Sequence, residues 1–154
     1  MSACFVFSGV RLSTPAAALV FCACQSFTIA PASMGVEQAT LEGSAWLLTR
    51  VNGQSIGKLA QTPRLALDKS SGLASGFAGC NDFSARYASK GANVTFSRVT
   101  YTRKRCVDPL GTKAEDAFLR LLPQVRSWRI RGATLSLRNA SGTLLLEFTQ
   151  ARSG

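Results

Sequence analysis

Only one stretch of this chain carries the apolar period of an α-helix, and that narrows the folds open to it. Ala114, Ala117, Phe118, Leu121 and Leu122 fall on one helical face. Thr112-Lys113-Ala114-Glu115 in front of them reads as a capping box: the threonine hydroxyl and the glutamate carboxylate satisfy the first free backbone N–H groups. Pro123 ends the run. Every other ordered-looking segment is short and β-like. Residues 46–51 form a strand that Asn52-Gly53 turns, and residues 63–68 (PRLALD) alternate apolar and polar. Ser70-Ser71-Gly72 leads the chain into residues 73–77. Residues 93–99 alternate again, placing Val94, Phe96 and Arg98 on one face, with Tyr101-Thr102 as an extension. Residues 125–131, 133–138 and 143–148 are three further strands, turned by Arg131-Gly132 and by residues 139–142. Strands, one helix, then a meander indicate an α+β domain: a curled antiparallel sheet, half-barrel-like, packed with one main helix.

Chemistry is scarce in this domain. The chain has no histidine, which excludes histidine-based catalysis and most catalytic zinc arrangements. A nucleophilic cysteine needs a neighbouring base or a thiolate-favouring environment, and arginine or lysine does not shuttle protons near neutral pH. Beyond Glu42 the carboxylates of the body are Asp68, Asp82, Asp108, Glu115, Asp116 and Glu147. Adjacent Glu115 and Asp116 point about 100° apart on a helix and make no acid/base pair. Asp82, beside Asn81, reads as a turn or cap residue. Cys80 and Cys106 lack the close-spaced partners of a structural zinc site. No catalytic residue, metal or cofactor is therefore assigned.

Charge is the strongest bias. There are 18 Lys+Arg against 8 Asp+Glu, a formal net charge of +10. Most basic residues stand singly, at positions such as Arg50, Arg64, Arg120, Arg126, Arg129 and Arg131; Arg103-Lys104-Arg105 is the one run. Two readings follow. One is a solvated basic surface, and the other is a module for anionic lipid, lipopolysaccharide or nucleic acid, in which Arg86, Arg98, Arg103, Lys104 and Arg105 make the contacts.

The first forty residues differ in kind. Residues 15–23 form an apolar stretch behind Arg11, and Phe21-Cys22-Ala23-Cys24 is an imperfect lipobox. Residues 1–24 are read as a signal peptide, of lipoprotein type with lipidation on Cys24, or as the leader of a soluble secreted protein, or as an unprocessed apolar start. Residues 25–40, rich in Ala, Ser, Thr, Gln and Pro, form a flexible tether, and residues 41–150 the domain. Nine uncharged residues follow Met1, so translation starting at Val10 is a simple alternative.

With that order in place, the chain resembles the META domain family, which includes the heat-shock protein HslJ. The resemblance rests on Trp46-Leu47-Leu48 with Asn52-Gly53, then Gly79-Cys80-Asn81 with Tyr87. It continues through Thr102-Arg103 ahead of Cys106, Glu115 with Phe118, and Leu135-Ser136-Leu137 before Gly142-Thr143-Leu144-Leu145. Ala85 stands where the family often has glycine, and Lys104-Arg105 where small apolar residues usually precede the second cysteine. The resemblance implies an exported envelope or periplasmic domain, often lipid-anchored, associated with stress response and antibiotic tolerance and, in some protozoa, with secretion and motility. It attaches no catalytic mechanism.

The stretch GFAGCNDFSARY, residues 76–87, is thereby recast. In an oxidising compartment Cys80 and Cys106 are disulfide candidates; in a reducing one they would be buried thiols. Phe83 and Tyr87 pin this segment to the core, while Gly76 and Gly79 permit tight turns. The function expected is a non-catalytic envelope domain that binds or stabilises an extracytoplasmic partner. The alternatives are the polyanion-binding module above and an inhibitor of an envelope enzyme.

Overall fold

The computed structural model describes residues 39–151. The signal-peptide segment 1–24, Cys24 and all but the last two residues of the tether lie outside the described residues. The elements run β1 (Ala45–Val51), β2 (Gln54–Ser55), β3 (Arg64–Asp68), β4 (Leu73–Phe77), β5 (Asp82–Lys90) and β6 (Asn93–Tyr101). Then come α1 (Pro109–Leu121) with a 3-10 turn at Leu122–Gln124, β7 (Ser127–Arg131), β8 (Thr134–Arg138) and β9 (Leu144–Gln150).

The strands make one curled antiparallel sheet in the order β2-β1-β3-β4-β5-β6-β7-β8-β9, and β1 also pairs with β9. The two ends of the ladder thus meet, with Trp46 opposite Gln150 and Leu48 opposite Phe148. The thinnest join is β6–β7, which rests on the single pair Asn93↔Ser127. Between these two strands the chain passes through α1.

Period-two patterning explains the filling of the sheet's inner face. Trp46 and Leu48 on β1, Leu65 and Leu67 on β3, Val94 and Phe96 on β6, and Leu135 and Leu137 on β8 are all buried. The helix adds Phe118 and Leu121 to the same cluster, and the 3-10 turn adds Leu122. Phe118 sits edge-on to Phe83, with ring centroids 4.9 Å apart, and edge-on to Phe148 at 6.2 Å. Such pairs add about 0.5–1.5 kcal/mol each to the burial of the rings themselves. This one side chain therefore ties the helix to both halves of the sheet.

Four details depart from the sequence reading. The helix begins at Pro109, and its N-cap is Asp108, which accepts a hydrogen bond from the Leu110 N–H. Proline at the first helical position has no N–H to leave unsatisfied, and its fixed φ suits a helix start. There is accordingly no capping box: Thr112 bonds back to the Asp108 carbonyl, and Glu115 is turned towards another part of the chain. Second, GFAGCNDFSARY runs into a strand, β5, which the reading of turns and pins overlooked. Phe83 and Ala85 face inward there, and Tyr87 is half-buried. Third, Arg98 does not share the Val94–Phe96 face. The β5–β6 register shifts between Ser84 and Arg86, and Arg98 sits at that irregularity with φ +51° and an exposed side chain. Fourth, β2 is a two-residue strand too short to leave a pattern.

Candidate functional site

Where β5 begins, the backbone of the loop before it touches the backbone of the helix. Gly79 has φ +141°, and a Cβ there would lie 2.5 Å from the Gly111 carbonyl oxygen. A Cβ on Gly111 would in turn lie 2.7 Å from the Gly79 carbonyl oxygen. Two glycines facing each other are what allow this approach. It brings the Glu115 carboxylate to the start of β5, where it accepts hydrogen bonds from the Cys80 N–H (2.9 Å), the Asn81 N–H and the Asn81 side-chain amide (2.8 Å). The amide oxygen of Asn81 accepts from the Thr102 hydroxyl (2.8 Å) and the Lys104 N–H (2.7 Å). Asn81 and Glu115 are both buried, and their partners satisfy the polar atoms that burial would otherwise penalise.

Cys80 and Cys106 form a disulfide with a Cα–Cα distance of 5.7 Å, closing 26 positions of chain. The loop between β6 and α1 is thus fixed at several points. Thr102 N–H donates to the Asp82 carbonyl (3.0 Å), Lys104 N–H to Asn81, and Cys106 is bonded covalently. One Glu115 oxygen and the two sulfurs lie within 4.8 Å of one another. With the sulfurs joined and the carboxylate accepting three N–H groups, this trio offers neither a thiolate nucleophile nor a thiolate metal ligand in the oxidised protein. What the arrangement does is hold a loop.

That loop carries the basic run. Lys104 pairs with Asp82 at 2.7 Å, with both side chains exposed, so the pair is worth at most about 1 kcal/mol. Asp82 is therefore a strand residue with a cation partner rather than a turn or cap. Arg103 and Arg105 are exposed, and among the described residues neither forms an ion pair. Arg86 faces outward on β5, opposite Leu73 and Ser97, with a guanidinium N–H directed at the Ser71 carbonyl (3.4 Å). It lies four residues, about 13 Å, along the strand from Asp82. The structure thus gathers Arg103, Lys104 and Arg105 at the disulfide, while Arg86 and Arg98 occupy the β5–β6 irregularity further along. Asn81 and Thr102 had no role in the sequence reading beyond family motifs. Glu115 left one legible signal, since a carboxylate three residues before Phe118 falls on the buried helix face.

A second concavity of about 710 Å³ lies against the first described residues, lined by Leu41, Glu42, Ser89, Trp128, Ile130 and Gln150 among others. At the neighbouring Tyr87 the hydroxyl donates to Glu42 at 3.2 Å. Desolvation, and then the Glu42 carboxylate, push the Tyr87 pKa up to about 12.

The loop geometry, the cysteine pair and the strand order can now be set beside known proteins. A family model, the META domain, matches residues 39–152. The chain belongs to the META domain family. Its fold is similar to an NMR structure of a protein from Burkholderia xenovorans, which is 26% identical with a TM-score of 0.57. That match covers 73% of this chain and 85% of the other. A second NMR structure, 19% identical, covers 73% of this chain and 95% of its own with a TM-score of 0.56, and bears on the fold alone. No curated protein sequence matches the chain. In this META domain the Gly79-Cys80-Asn81 motif is the entry to β5, and Glu115 is its anchor on the helix. Family membership carries a general association with envelope and stress roles.

Proposed function

We propose that this META domain is a non-catalytic binding domain of the cell envelope, which acts in stress tolerance by holding or stabilising an extracytoplasmic partner. One observation carries the reading: the buried polar groups around Cys80 are all engaged in positioning a loop. Asn81 and Glu115 satisfy one another and the loop backbone, and the cysteines are joined. The disulfide favours an oxidising compartment, in keeping with export by the segment 1–24 and a lipid on Cys24. The test is to block thiols in intact cells, isolate the protein from native envelope and analyse it by mass spectrometry with its co-purifying components. A linked Cys80–Cys106 peptide, together with an envelope component retained through washing, is expected. Free thiols at both positions in a cytosolic fraction would overturn the reading.

A second reading, that the partner is polyanionic, is favoured by Arg103 and Arg105, exposed and without carboxylate partners among the described residues. Binding through such groups is screened within about 8 Å at physiological ionic strength, so it weakens steeply with salt. Replacing Arg103, Lys104 and Arg105 together by alanine should reduce retention on heparin several-fold. Unchanged retention at low salt would remove the loop from this role.

A further inference from the structure

Large apolar side chains exposed to water are few among the described residues: Leu73, Tyr101, Val107 and Leu110. Three of these four fall within residues 101–110, the segment that also contains Arg103-Lys104-Arg105. Val107 is 93% exposed, Leu110 55% and Tyr101 50%. Single exposed apolar residues are ordinary, but three in ten positions beside three cations are a concentration. The segment is also held in place before any partner arrives. The disulfide, the Asn81 bond to Lys104 N–H and the Asp108 cap of α1 fix its middle and its end, so little ordering cost attends docking.

We propose that residues 101–110 form a membrane-contact loop that seats on an anionic lipid surface, Val107 and Leu110 entering the headgroup–acyl boundary and Arg103, Lys104 and Arg105 contacting phosphates. This rests on the binding reading above and names its partner by chemistry. Exposed aliphatic residues next in sequence to cations and a tyrosine match the layered polarity of a bilayer interface, where aromatic rings and long basic side chains sit at headgroup level. Nucleic acid satisfies the cations but gives a bare valine and leucine nothing to enter. The nearby acids reduce the attraction without removing it. Asp82 is paired with Lys104, and the Asp108 carboxylate accepts from the helix N-terminus. This leaves Arg103 and Arg105 as the cations without a carboxylate partner among the described residues.

The test is co-sedimentation of the full chain, carrying Cys24→Ser so that no lipid is attached there, with phosphatidylcholine vesicles with and without phosphatidylglycerol. Each cation near an anionic surface strengthens partitioning about five-fold, so the Arg103/Lys104/Arg105 triple-alanine chain should lose roughly a hundredfold. Val107→Ser with Leu110→Ser should lose about tenfold on the same vesicles. Tryptophan fluorescence of Val107→Trp should shift to the blue on the phosphatidylglycerol vesicles. Since Val107 is almost wholly exposed, its variants keep the fold, which the near-ultraviolet circular dichroism checks. Unchanged partitioning of the serine variant, or an unshifted Val107→Trp emission, would overturn the lipid assignment. If heparin or single-stranded DNA then still bound in a manner dependent on the loop cations, the polyanion reading would stand without the membrane. Binding to neither vesicles nor soluble polyanions would remove both.

Discussion

In the β7–β9 meander, Trp128 faces Leu137 and Leu137 faces Leu146 across successive hairpins. The pairings within these hairpins join residues close in sequence, and the inward-facing ones do so through apolar contact and backbone hydrogen bonds. At the other region of interest, Glu115 reaches Cys80 and Asn81 over separations of 35 and 34 residues, and it does so with buried polar atoms. The meander is therefore redundant, because each side chain adds its own burial and losing one leaves the others in place. The clamp is not redundant. A single carboxylate satisfies three N–H groups, so removing it leaves several polar atoms stranded at once.

The sharpest way to break this contrast is Glu115→Ala. It leaves the Cys80 N–H, the Asn81 N–H and the Asn81 amide without their acceptor, at about 1–3 kcal/mol for each unsatisfied group, and we expect a loss of about 4 kcal/mol in urea unfolding. Glu115→Gln keeps the shape but turns one acceptor into a donor, and should cost about half as much. If the alanine variant lost less than Leu137→Ala, the clamp would be no more than another packing site.

Next in size is the disulfide. Replacing Cys80 and Cys106 together by serine opens a 26-residue closure. In the chain-entropy account this closure is worth about 3.5 kcal/mol. Hydrogen exchange sharpens the result: amides of residues 102–107 should lose protection, while those of β8 and β9 keep theirs at matched stability. Uniform loss across the sheet would show that the staple acts on the whole fold rather than on its own loop.

For the meander the matching measurement is Leu137→Ala. Its side chain is fully buried. Truncation should therefore cost about 3 kcal/mol, the middle of the range for a leucine in a packed core. The disulfide loop should not respond, so hydrogen exchange at Asn81 should follow the global loss and nothing more.

The same contrast explains what could be read before the structure was known. Strands β3, β4, β8 and β9 were legible to within about two residues because alternation and turn residues are local signals. The pairing of Cys80 with Cys106 was legible as a candidate because few thiols were available to choose from. Strand β5 is hidden although Phe83, Ala85 and Tyr87 alternate, because Gly76, Gly79 and Asp82 beside Asn81 carry turn signals just where it begins. Glu115 reads as part of a box with Thr112 because that motif is local, whereas its actual partners, Cys80 and Asn81, are brought near by the fold. Asp108 and Pro109 held the better helix-start signal: Asp108→Ala should cost about 1 kcal/mol, and Thr112→Ala markedly less.

Tyr87 extends the contrast to a polar contact that is long in sequence but only half-buried. Its hydroxyl donates to Glu42, 45 residues away. Desolvation, then the negative charge of Glu42, then this hydrogen bond all favour the neutral phenol, so its pKa rises from 10.0 to about 12. A value raised in the folded state contributes stability that is complete below the unfolded value and is lost as pH rises through the folded one. The contribution of Tyr87 is thus fully present and constant at neutral pH, and is lost only as pH rises between about 10 and 12. Ultraviolet titration of the phenolate should show one late transition that Tyr87→Phe removes and Glu42→Gln moves to lower pH. The alkaline fall in stability should shrink in Tyr87→Phe. If Glu42→Gln instead left the late transition in place, desolvation alone would account for it. Burial would then be what separates the costly polar contacts of this domain from the inexpensive ones, with span in sequence playing no part.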